Sequence, residues 1–305
     1  MTGLHGCIPI LCTPFNDDLS LDLESLRREV EWVIGEGATG VAALALASEG
    51  YKLTEIEREQ VSRTVIEVVA DRIPVVISAD GPGHAIAVDR VQRAEAWGAS
   101  ALMVLPPYFV KPDQRNLYDY YRQIGESVSI PIMIQDAPQL TGVAMSPSLW
   151  ARLASDVPTI QYVKAEGTPG GPVISETLRL SDGKLRMFSG WGGLGAIDAF
   201  ERGAVGSMPA PNFTRLFIDV QRLYEAGDVA EAEARFNSEL PYSLWAMQSI
   251  DFSVTSAKAE LHRLGIFTTP LLRQPATALD AVSTDQLSRW ISRRGKGASS
   301  DSVHE

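Results

Sequence analysis

A single lysine closes one of the apolar runs of this sequence, and its type and position suggest chemistry more directly than any other residue. The run begins at Ile160, ends in Lys164-Ala165-Glu166 and then breaks into a glycine-rich turn. The residues that alternation along a strand places on one face are Ile160, Tyr162, Lys164 and Glu166. Burial disfavours a charged ammonium, and a neutral amine can attack a keto group to form a Schiff base. The alternative is a lysine whose stem packs while its head reaches solvent.

Eight short apolar runs alternate with amphipathic stretches, which is the pattern of repeated βα units. Helices are predicted at residues 22–36 and 84–97, and Thr54 with Glu57 forms a capping-box pattern before a third helix. Such units leave two architectures, a doubly wound open sheet and a closed (β/α)8 barrel, and eight units favour the barrel. The runs begin near Ile8, Val41, Ile73, Ala101, Ile130, Ile160, Leu185 and Ala204.

After the eighth run the pattern is helical only, with helices predicted at residues 214–226, 229–247, 254–264 and 284–294. We therefore predict an α/β fold in which a (β/α)8 TIM barrel carries a C-terminal helical extension. The expected division is a barrel at residues 1–225, an extension at 226–295 and a disordered tail at 296–305, because the tail is small and polar.

The composition restricts the class of partner. The 305 residues carry a net charge of -11, whereas nucleic acid and anionic membranes are bound by clusters of Lys and Arg. The first fifteen residues lack the basic start of a signal peptide, and no uncharged stretch is long enough for a membrane span. We therefore expect a cytoplasmic protein with no nucleic-acid partner and no membrane partner.

Cysteine and histidine usage predicts neither a disulfide nor a metal site. Cys7 and Cys12 would lie about 16 Å apart along a strand, which exceeds the reach of a disulfide. The histidines are scattered without the spacing of metal ligands, at His5, His84, His262 and His304. We predict no bound metal.

In a (β/α)8 barrel the active site lies at the carboxyl ends of the strands, so the residues that close the apolar runs are the candidates. Hydroxyls, carboxylates, an amide and one amine occur there and would converge on one rim. Taken singly, Thr13, Ser48 and Asp136 are better explained as cap or turn residues. The ends of the runs read Ser48-Glu49-Gly50, Pro106-Pro107-Tyr108, Gln135-Asp136-Ala137-Pro138, Lys164-Ala165-Glu166 and Ser189-Gly190-Trp191.

The order of these motifs resembles the dihydrodipicolinate synthase / N-acetylneuraminate lyase superfamily. The matching features are a glutamate after strand two, Pro-Pro-Tyr after strand four, a proline-containing turn after strand five and a lysine after strand six, over about residues 6–275. By resemblance, Lys164 is the Schiff-base lysine of a class I lyase, which implies a small 2-oxo acid as substrate and no separate cofactor. The resemblance also implies a homotetramer built as a dimer of dimers, with Phe109 at a subunit contact.

Several positions depart from the family pattern. The loop that holds the carboxylate of the 2-oxo acid has lost both hydroxyls and reads Ala45-Leu46-Ala47-Ser48-Glu49. Gln135 replaces the proton-shuttling tyrosine, and an amide cannot act as a general acid or base near neutral pH. Leu140 stands where an arginine receives the dicarboxylic partner. These departures weigh against dihydrodipicolinate synthesis and sialic acid cleavage.

A closer resemblance is to the 2-keto-3-deoxy-L-arabonate dehydratase branch. The matching segments are Ser48-Glu49, residues 131–138 and Lys164-Ala165-Glu166, whereas residues 190–193 depart from that branch at strand seven. The predicted function is therefore that of a hydro-lyase for a 2-keto-3-deoxy sugar acid. Aldol cleavage or synthesis is the alternative, but cleavage needs a base for the C4 hydroxyl, which Gln135 cannot supply.

Catalysis is assigned to four of these residues and substrate contact to a partly overlapping set. The catalytic candidates are Lys164, Gln135, Glu166 and Ser48, with Gln135 limited to orienting a group by hydrogen bonding. For Glu49, bracing of its own loop explains the residue as well as substrate contact does. The predicted substrate contacts are Ala47, Ser48, Glu49, Tyr108, Gly190, Trp191 and Met208.

Two other classes of function are considered. Residues 190–195 match the glycine pattern of dinucleotide-binding oxidoreductases, but Trp191 would obstruct a pyrophosphate, and close backbone packing explains the glycines better. The missing tyrosine also suggests a barrel that binds a 2-oxo acid without catalysis. Retention of Lys164 and of the polar groups near it argues against that class.

Overall fold

The computed structural model describes residues 3–298, and within this part of the chain eight parallel strands form one sheet. A parallel bridge between Ile10 and Ala42 joins the chain after the first strand to the second strand and so closes the sheet. The predicted (β/α)8 barrel is confirmed. The strands are β1 (Gly6–Cys7), β2 (Val41–Ala43), β3 (Val75–Ser78), β4 (Ala101–Val104), β5 (Ile132–Asp136), β6 (Ile160–Ala165), β7 (Arg186–Ser189) and β8 (Gly206–Ser207).

Helices cover the outside of the sheet and begin at the predicted caps. The Asp22 side chain accepts a hydrogen bond from the backbone N–H of Ser25 at the start of α1 (Leu23–Gly35). Thr54 and Glu57 form the predicted capping box of α2 (Glu55–Val69). The next helices are α3 (His84–Trp97), α4 (Gln114–Glu126), α5 (Pro138–Thr141), α6 (Pro147–Asp156), α7 (Gly170–Ser181) and α8 (Ala196–Glu201).

Alternation along the strands divides the barrel core into two layers. Met133 and Tyr162 pack in a cluster inside the barrel, whereas Ile134 and Val163 pack between the strands and the helices. Burial on both faces accounts for the near-continuous apolar runs. Lys164 follows Val163 and therefore returns to the interior side, at the carboxyl end of β6.

The predicted face of β6 is wrong at one residue. β5 and β6 change register between Ile160 and Tyr162, so Gln161 is an extra residue without a partner in β5. Ile160 consequently packs between the strands and the helices, whereas Tyr162 packs inside the barrel. One extra residue reverses the alternation, which is why the sequence pattern misassigned Ile160.

The helices after β8 share a core with the barrel. They are α9 (Thr214–Glu225), α10 (Val229–Ala246), α11 (Ile250–Arg263) and α12 (Ala281–Ala298). Phe217 of α9, Phe236 of α10 and Leu261 of α11 belong to one apolar cluster with Cys7 of β1. The division between barrel and extension at residue 225 falls at the end of α9, and it stays a prediction.

The last two helices differ from their predicted bounds by several residues. α11 begins at Ile250 rather than at residue 254, because the Ser249 side chain accepts a hydrogen bond from the Phe252 backbone N–H and caps the helix earlier. α12 begins at Ala281 and continues to Ala298, and the disordered tail at residues 296–305 stays a prediction. Residues 299–305 of that predicted tail lie outside the described residues.

Three further observations bear on partners and chemistry. No helix within residues 3–298 is long and apolar enough to cross a membrane. Over the same range, no group of three or more His, Cys, Asp or Glu side chains could hold a metal ion. Cys7 and Cys12 are free and buried. Burial raises the pKa of each thiol, so neither is a reactive nucleophile.

Candidate active site

Lys164 lies at the carboxyl end of β6 with its side chain on the interior side of the barrel. It pairs with Phe188 of β7, a residue of the interior cluster. The residue is 4% exposed, and its Nζ lies 2.9 Å from Oε1 of Glu166. The amine is therefore paired inside the protein and does not reach solvent. The carboxylate lies close enough to the amine to exchange a proton with it, as the formation of an imine at a lysine requires.

The carboxylate of Glu166 is the centre of the site. Its Oε2 accepts a hydrogen bond from Nε2 of Gln135 at 2.9 Å, and its Oε1 accepts one from the backbone N–H of Trp191 at 3.2 Å. The Glu166 backbone is held as well, because its N–H donates to the carbonyl of Asp136 at 2.9 Å. The buried carboxylate is thus contacted by Gln135 of β5, by Lys164 of β6 and by the backbone of Trp191 after β7.

Gly190 has a steric reason to be glycine. A Cβ at this position would lie 2.2 Å from Cγ of Glu166 and 3.0 Å from the carbonyl oxygen of Ala165. The Gly190 N–H also donates to that carbonyl at 2.9 Å. The absent side chain therefore makes the space that the Glu166 carboxylate occupies.

The other glycines of this segment contact the helical extension. A Cβ on Gly192 would lie 2.6 Å from Sδ of Met247, and one on Gly193 would lie 2.3 Å from the ring of Phe217. Both glycines also have positive φ, of 65° and 78°. Close packing against α9 and the end of α10 accounts for the pattern, which favours the packing interpretation over dinucleotide binding.

Some buried polar atoms at this rim have no partner among the described residues, and they include Oε1 of Gln135 and Oγ of Ser48. The backbone of Ser48 is held, because its carbonyl accepts a hydrogen bond from Oγ1 of Thr13 at 2.6 Å. Within residues 3–298, no hydrogen bond joins Ser48 to Lys164 or Glu166. Because an unpaired buried hydroxyl is costly, Ser48 is suited to receive a bound ligand.

The remaining predicted contacts lie in different surroundings. Met208 is buried in the interior cluster, and Ala47 packs against the same cluster. Glu49 has both carboxylate oxygens occupied: Oε1 by Nζ of Lys258 and Oε2 by Nζ of Lys52. In this arrangement Glu49 braces its loop, which is the alternative that its sequence position suggested.

Tyr108 lines a cavity of about 260 Å³ on the side of β2 and β3, together with Arg58, Asp80 and Phe109. The residues that line this cavity do not include Lys164. Tyr108 is 43% exposed and Phe109 is 86% exposed. The structure thus gathers Lys164, Glu166, Gln135, Gly190 and Trp191 into one site, but not Tyr108.

Asp136 is a site residue that was not among the predicted catalytic or contact residues. It is buried at the end of β5, and its Oδ1 has no hydrogen-bond partner among the described residues. Burial, and secondly the charge of Glu166, raise the pKa of Asp136 to about 7. The available sequence signal was its place next to Gln135 at a strand end, which is equally typical of a turn residue.

The fold and the site together define a (β/α)8 barrel with a lysine–glutamate pair buried at the carboxyl ends of its strands. The model of the dihydrodipicolinate synthetase family matches residues 3–294. The chain belongs to this family and is therefore a lyase.

Relatives within the family carry different activities. The L-2-keto-3-deoxyarabonate dehydratase of Azospirillum brasilense is 30% identical over 90% of this chain and 89% of its own length. The 4-hydroxy-tetrahydrodipicolinate synthase of Chelativorans sp. (strain BNC1) is 32% identical over 95% of this chain and 98% of its own length. The identities are similar, so membership of the family does not by itself choose between dehydration and carbon–carbon chemistry.

A solved structure of the family extends the comparison to the fold. The dihydrodipicolinate synthase from Acinetobacter baumannii, solved in complex with pyruvate, superposes with a TM-score of 0.87 at 27% identity. The alignment covers 95% of this chain and 98% of that chain. The barrel and its helical extension are thus shared along nearly the whole chain.

Proposed function

We propose that this protein is a Schiff-base-forming lyase that dehydrates a 2-keto-3-deoxy sugar acid, with Lys164 as the amine. The observation that carries the proposal is the Glu166 carboxylate, which lies 2.9 Å from the Lys164 amine and accepts a 2.9 Å hydrogen bond from Gln135. A carboxylate held beside the amine can move protons at the carbon next to the imine. The imine is a covalent bond to Lys164, so no separate cofactor is required.

The first half of the reaction makes C3 acidic. The Lys164 amine attacks the C2 carbonyl of the substrate, and loss of water gives an iminium ion. The iminium withdraws electrons from C3, so Glu166 can take a C3 proton and leave an enamine. Gln135 donates to the same carboxylate and therefore fixes its direction without exchanging a proton itself.

The second half expels the C4 hydroxyl. The enamine electron pair forms a double bond between C3 and C4, and the hydroxyl leaves as water with a proton from Glu166 or Ser48. The resulting conjugated iminium loses a C5 proton to give an enol at C5, C3 is protonated again, the enol becomes an aldehyde as C4 gains a proton, and hydrolysis frees Lys164 and a 2,5-dioxo acid. The net change is the loss of one water. Ser48 suits the proton-donor role because its buried Oγ has no protein partner among the described residues.

Two relatives support the reaction class and the ligand class. The Azospirillum brasilense relative is an L-2-keto-3-deoxyarabonate dehydratase, so its reaction is the dehydration of a 2-keto-3-deoxy acid. The Acinetobacter baumannii synthase was solved with pyruvate, the smallest 2-oxo acid of this type. We infer the same class of ligand for the Lys164 site.

The second candidate function is aldol chemistry of the dihydrodipicolinate synthase type, which the Chelativorans relative favours. Cleavage between C3 and C4 requires a base for the C4 hydroxyl proton as the bond breaks. Gln135 cannot take that proton, because an amide is not a general base near neutral pH. Elimination does not require a base for the C4 hydroxyl proton.

Borohydride trapping tests the amine. Incubation with pyruvate and sodium borohydride should add one reduced pyruvate to the wild-type protein, on the peptide that contains Lys164. Lys164→Ala and Lys164→Arg should give no adduct and no turnover, since guanidinium remains protonated. The matched control is Lys184→Ala, because Lys184 is an exposed surface lysine and its loss should change nothing. An adduct on Lys164→Ala would refute Lys164 as the amine, and no adduct with any 2-oxo acid would favour binding without catalysis.

Product analysis tests the reaction. The purified protein is offered 2-keto-3-deoxy-L-arabonate, and the products are followed by NMR. We expect the semialdehyde of 2-oxoglutarate. Pyruvate together with an aldehyde would refute dehydration and support the aldolase candidate.

We also propose a homotetramer assembled as a dimer of dimers. Phe109 and Val110 support a subunit contact after β4, because these apolar side chains are 86% and 72% exposed in the single chain. Light scattering at micromolar concentration should give a mass near four times 33.1 kDa. Phe109→Asp should shift the protein towards smaller species, and a wild-type monomer would refute the assembly.

A further inference from the structure

A buried charge cluster joins the helical extension to the loop after β2, which we call the β2 loop (residues 44–50). Lys258 of α11 is fully buried and donates to Glu49 of the loop and, at 3.0 Å, to the carbonyl of Leu271. Lys52 donates to the other oxygen of Glu49 at 2.9 Å and to the carbonyl of Arg273 at 2.8 Å. One glutamate is thus clamped by two lysines that also hold the chain after α11.

The β2 loop has a conformation that needs such support. Leu44 and Glu49 both have positive φ, of 63° and 56°, although neither is glycine. The loop folds tightly on itself, since the N–H groups of Ser48 and Gly50 both donate to the carbonyl of Ala45. A Cβ on Gly50 would lie 2.0 Å from the Leu44 carbonyl oxygen. Uncommon backbone conformations persist where surrounding contacts fix them, and the contacts of Glu49 are such a constraint.

The same loop carries Ser48, which directly precedes Glu49. The Ser48 carbonyl is held by Thr13, while its buried Oγ has no partner among the described residues. The backbone of Ser48 is therefore fixed on both sides, and its hydroxyl remains available to a ligand. A shift of about 1 Å in such a group is enough to lower a catalytic rate by about 10²-fold.

We propose that Lys258, through Glu49, is a positioning residue for the Ser48 hydroxyl, so that the helical extension is part of the active-site machinery. The role of the Ser48 hydroxyl toward the substrate rests on the proposed function. The dependence of the β2 loop on Lys258 does not. Lys258 acts through Glu49 and does not contact the substrate. Lys52 supports the same carboxylate from the other side.

The first experiment measures the loop without reference to activity. Hydrogen exchange is compared in the wild type, Lys258→Met and Tyr242→Phe. Tyr242→Phe is the matched control, because it removes a buried hydrogen bond to Glu260 of the same helix α11. Amides of residues 44–50 should exchange about tenfold faster in Lys258→Met than in the wild type. Their exchange rates in Tyr242→Phe should equal those of the wild type. Equal exchange in both variants would overturn the clamp. If Lys258→Met does not fold, Lys52→Met carries the same test.

The second experiment links the clamp to Ser48. The pyruvate concentration that gives half-maximal borohydride trapping at Lys164 is measured for Lys258→Met, Ser48→Ala and their double variant, because the loop that carries Ser48 is predicted to contact the carboxylate of the 2-oxo acid. Each single variant should raise this concentration about tenfold. The concentration for the double variant should exceed that for either single variant by no more than about twofold, because both changes remove the same interaction. Additive effects, or no effect of Ser48→Ala, would overturn positioning through Ser48. A wild type without any adduct would refute the proposed function, and hydrogen exchange would still decide the clamp.

Discussion

Asp136 makes the stability of this protein depend on pH in a direction opposite to that of most carboxylates. The residue is 4% exposed, one of its oxygens has no partner among the described residues, and Glu166 lies nearby. Its pKa is raised from 3.8 to about 7, first by burial and then by the charge of Glu166. We predict that Asp136→Asn stabilises the protein at alkaline pH and leaves it unchanged in acid.

The sign and size follow from proton linkage. Between pH 3.8 and about 7 the folded protein holds a proton on Asp136 that the unfolded chain has released. The free energy of unfolding therefore falls as pH rises through this interval and stays lowered above it. The interval spans slightly more than three pH units, and each unit is worth about 1.4 kcal/mol, so the penalty at pH 8 is about 4 kcal/mol. Asparagine keeps the shape of the neutral acid and carries no charge at any pH.

Urea unfolding followed by tryptophan fluorescence tests this at pH 4.5 and pH 8. The difference in unfolding free energy between Asp136→Asn and wild type should be a few kcal/mol larger at pH 8 than at pH 4.5. Glu57→Gln, compared at about pH 3 and at pH 8, is a control of opposite sign, because hydrogen bonds from Arg273 lower the pKa of Glu57 to about 2. Glu57 contributes stability above pH 4.5 that is lost towards pH 2, so its removal destabilises most near neutral pH. An Asp136→Asn effect that does not change with pH would refute the reasoning.

Three further substitutions test the packing that shapes the site. Gly190→Ala places a methyl group 2.2 Å from Cγ of Glu166, so kcat/KM should fall by about 10²-fold or more while circular dichroism shows an intact fold. Gly193→Ala combines a positive φ of 78° with a contact of 2.3 Å to Phe217, and we expect a loss of about 3 kcal/mol in the denaturant midpoint analysis. Thr54→Ala removes the N-cap of α2 and should lower the free energy of unfolding by about 1 kcal/mol without changing kcat. An unchanged kcat/KM for Gly190→Ala, or an unchanged free energy of unfolding for either of the other two variants, would contradict the corresponding contact.

The barrel was predictable because its signals are local. A capping box or a capping aspartate is a pattern of a few residues, and the starts predicted from Asp22 and Thr54 are confirmed. The displaced face of Ile160 was not predictable, because one residue, Gln161, is left out of the pairing with β5. That decision depends on how two strands pack, and no periodicity within β6 records it.

The candidate site likewise has features that the sequence predicts and features that it does not. The position of Lys164 follows from one strand and its end, and the structure buries the amine on the interior side as expected. The partners of Glu49 could not be read from the sequence, because Lys258 is more than two hundred positions away. Tyr108 closes its run as Lys164 does, yet Lys164 is not among the residues that line the cavity at Tyr108. Strand ends indicate which residues share a rim, but loop geometry decides which of them meet.

The exchange of a tyrosine for Gln135 is best understood together with Glu166. Gln135 donates Nε2 to the Glu166 carboxylate at 2.9 Å, and its Oε1 stays buried without a partner among the described residues. The amide therefore satisfies the carboxylate with one end and offers an acceptor with the other. Under the proposed function, that acceptor can receive a hydroxyl of the sugar acid, while all proton transfer falls to Glu166 and Ser48. A site that loses its phenol but keeps a carboxylate 2.9 Å from the amine can still transfer the C3 proton, which is the step that elimination requires.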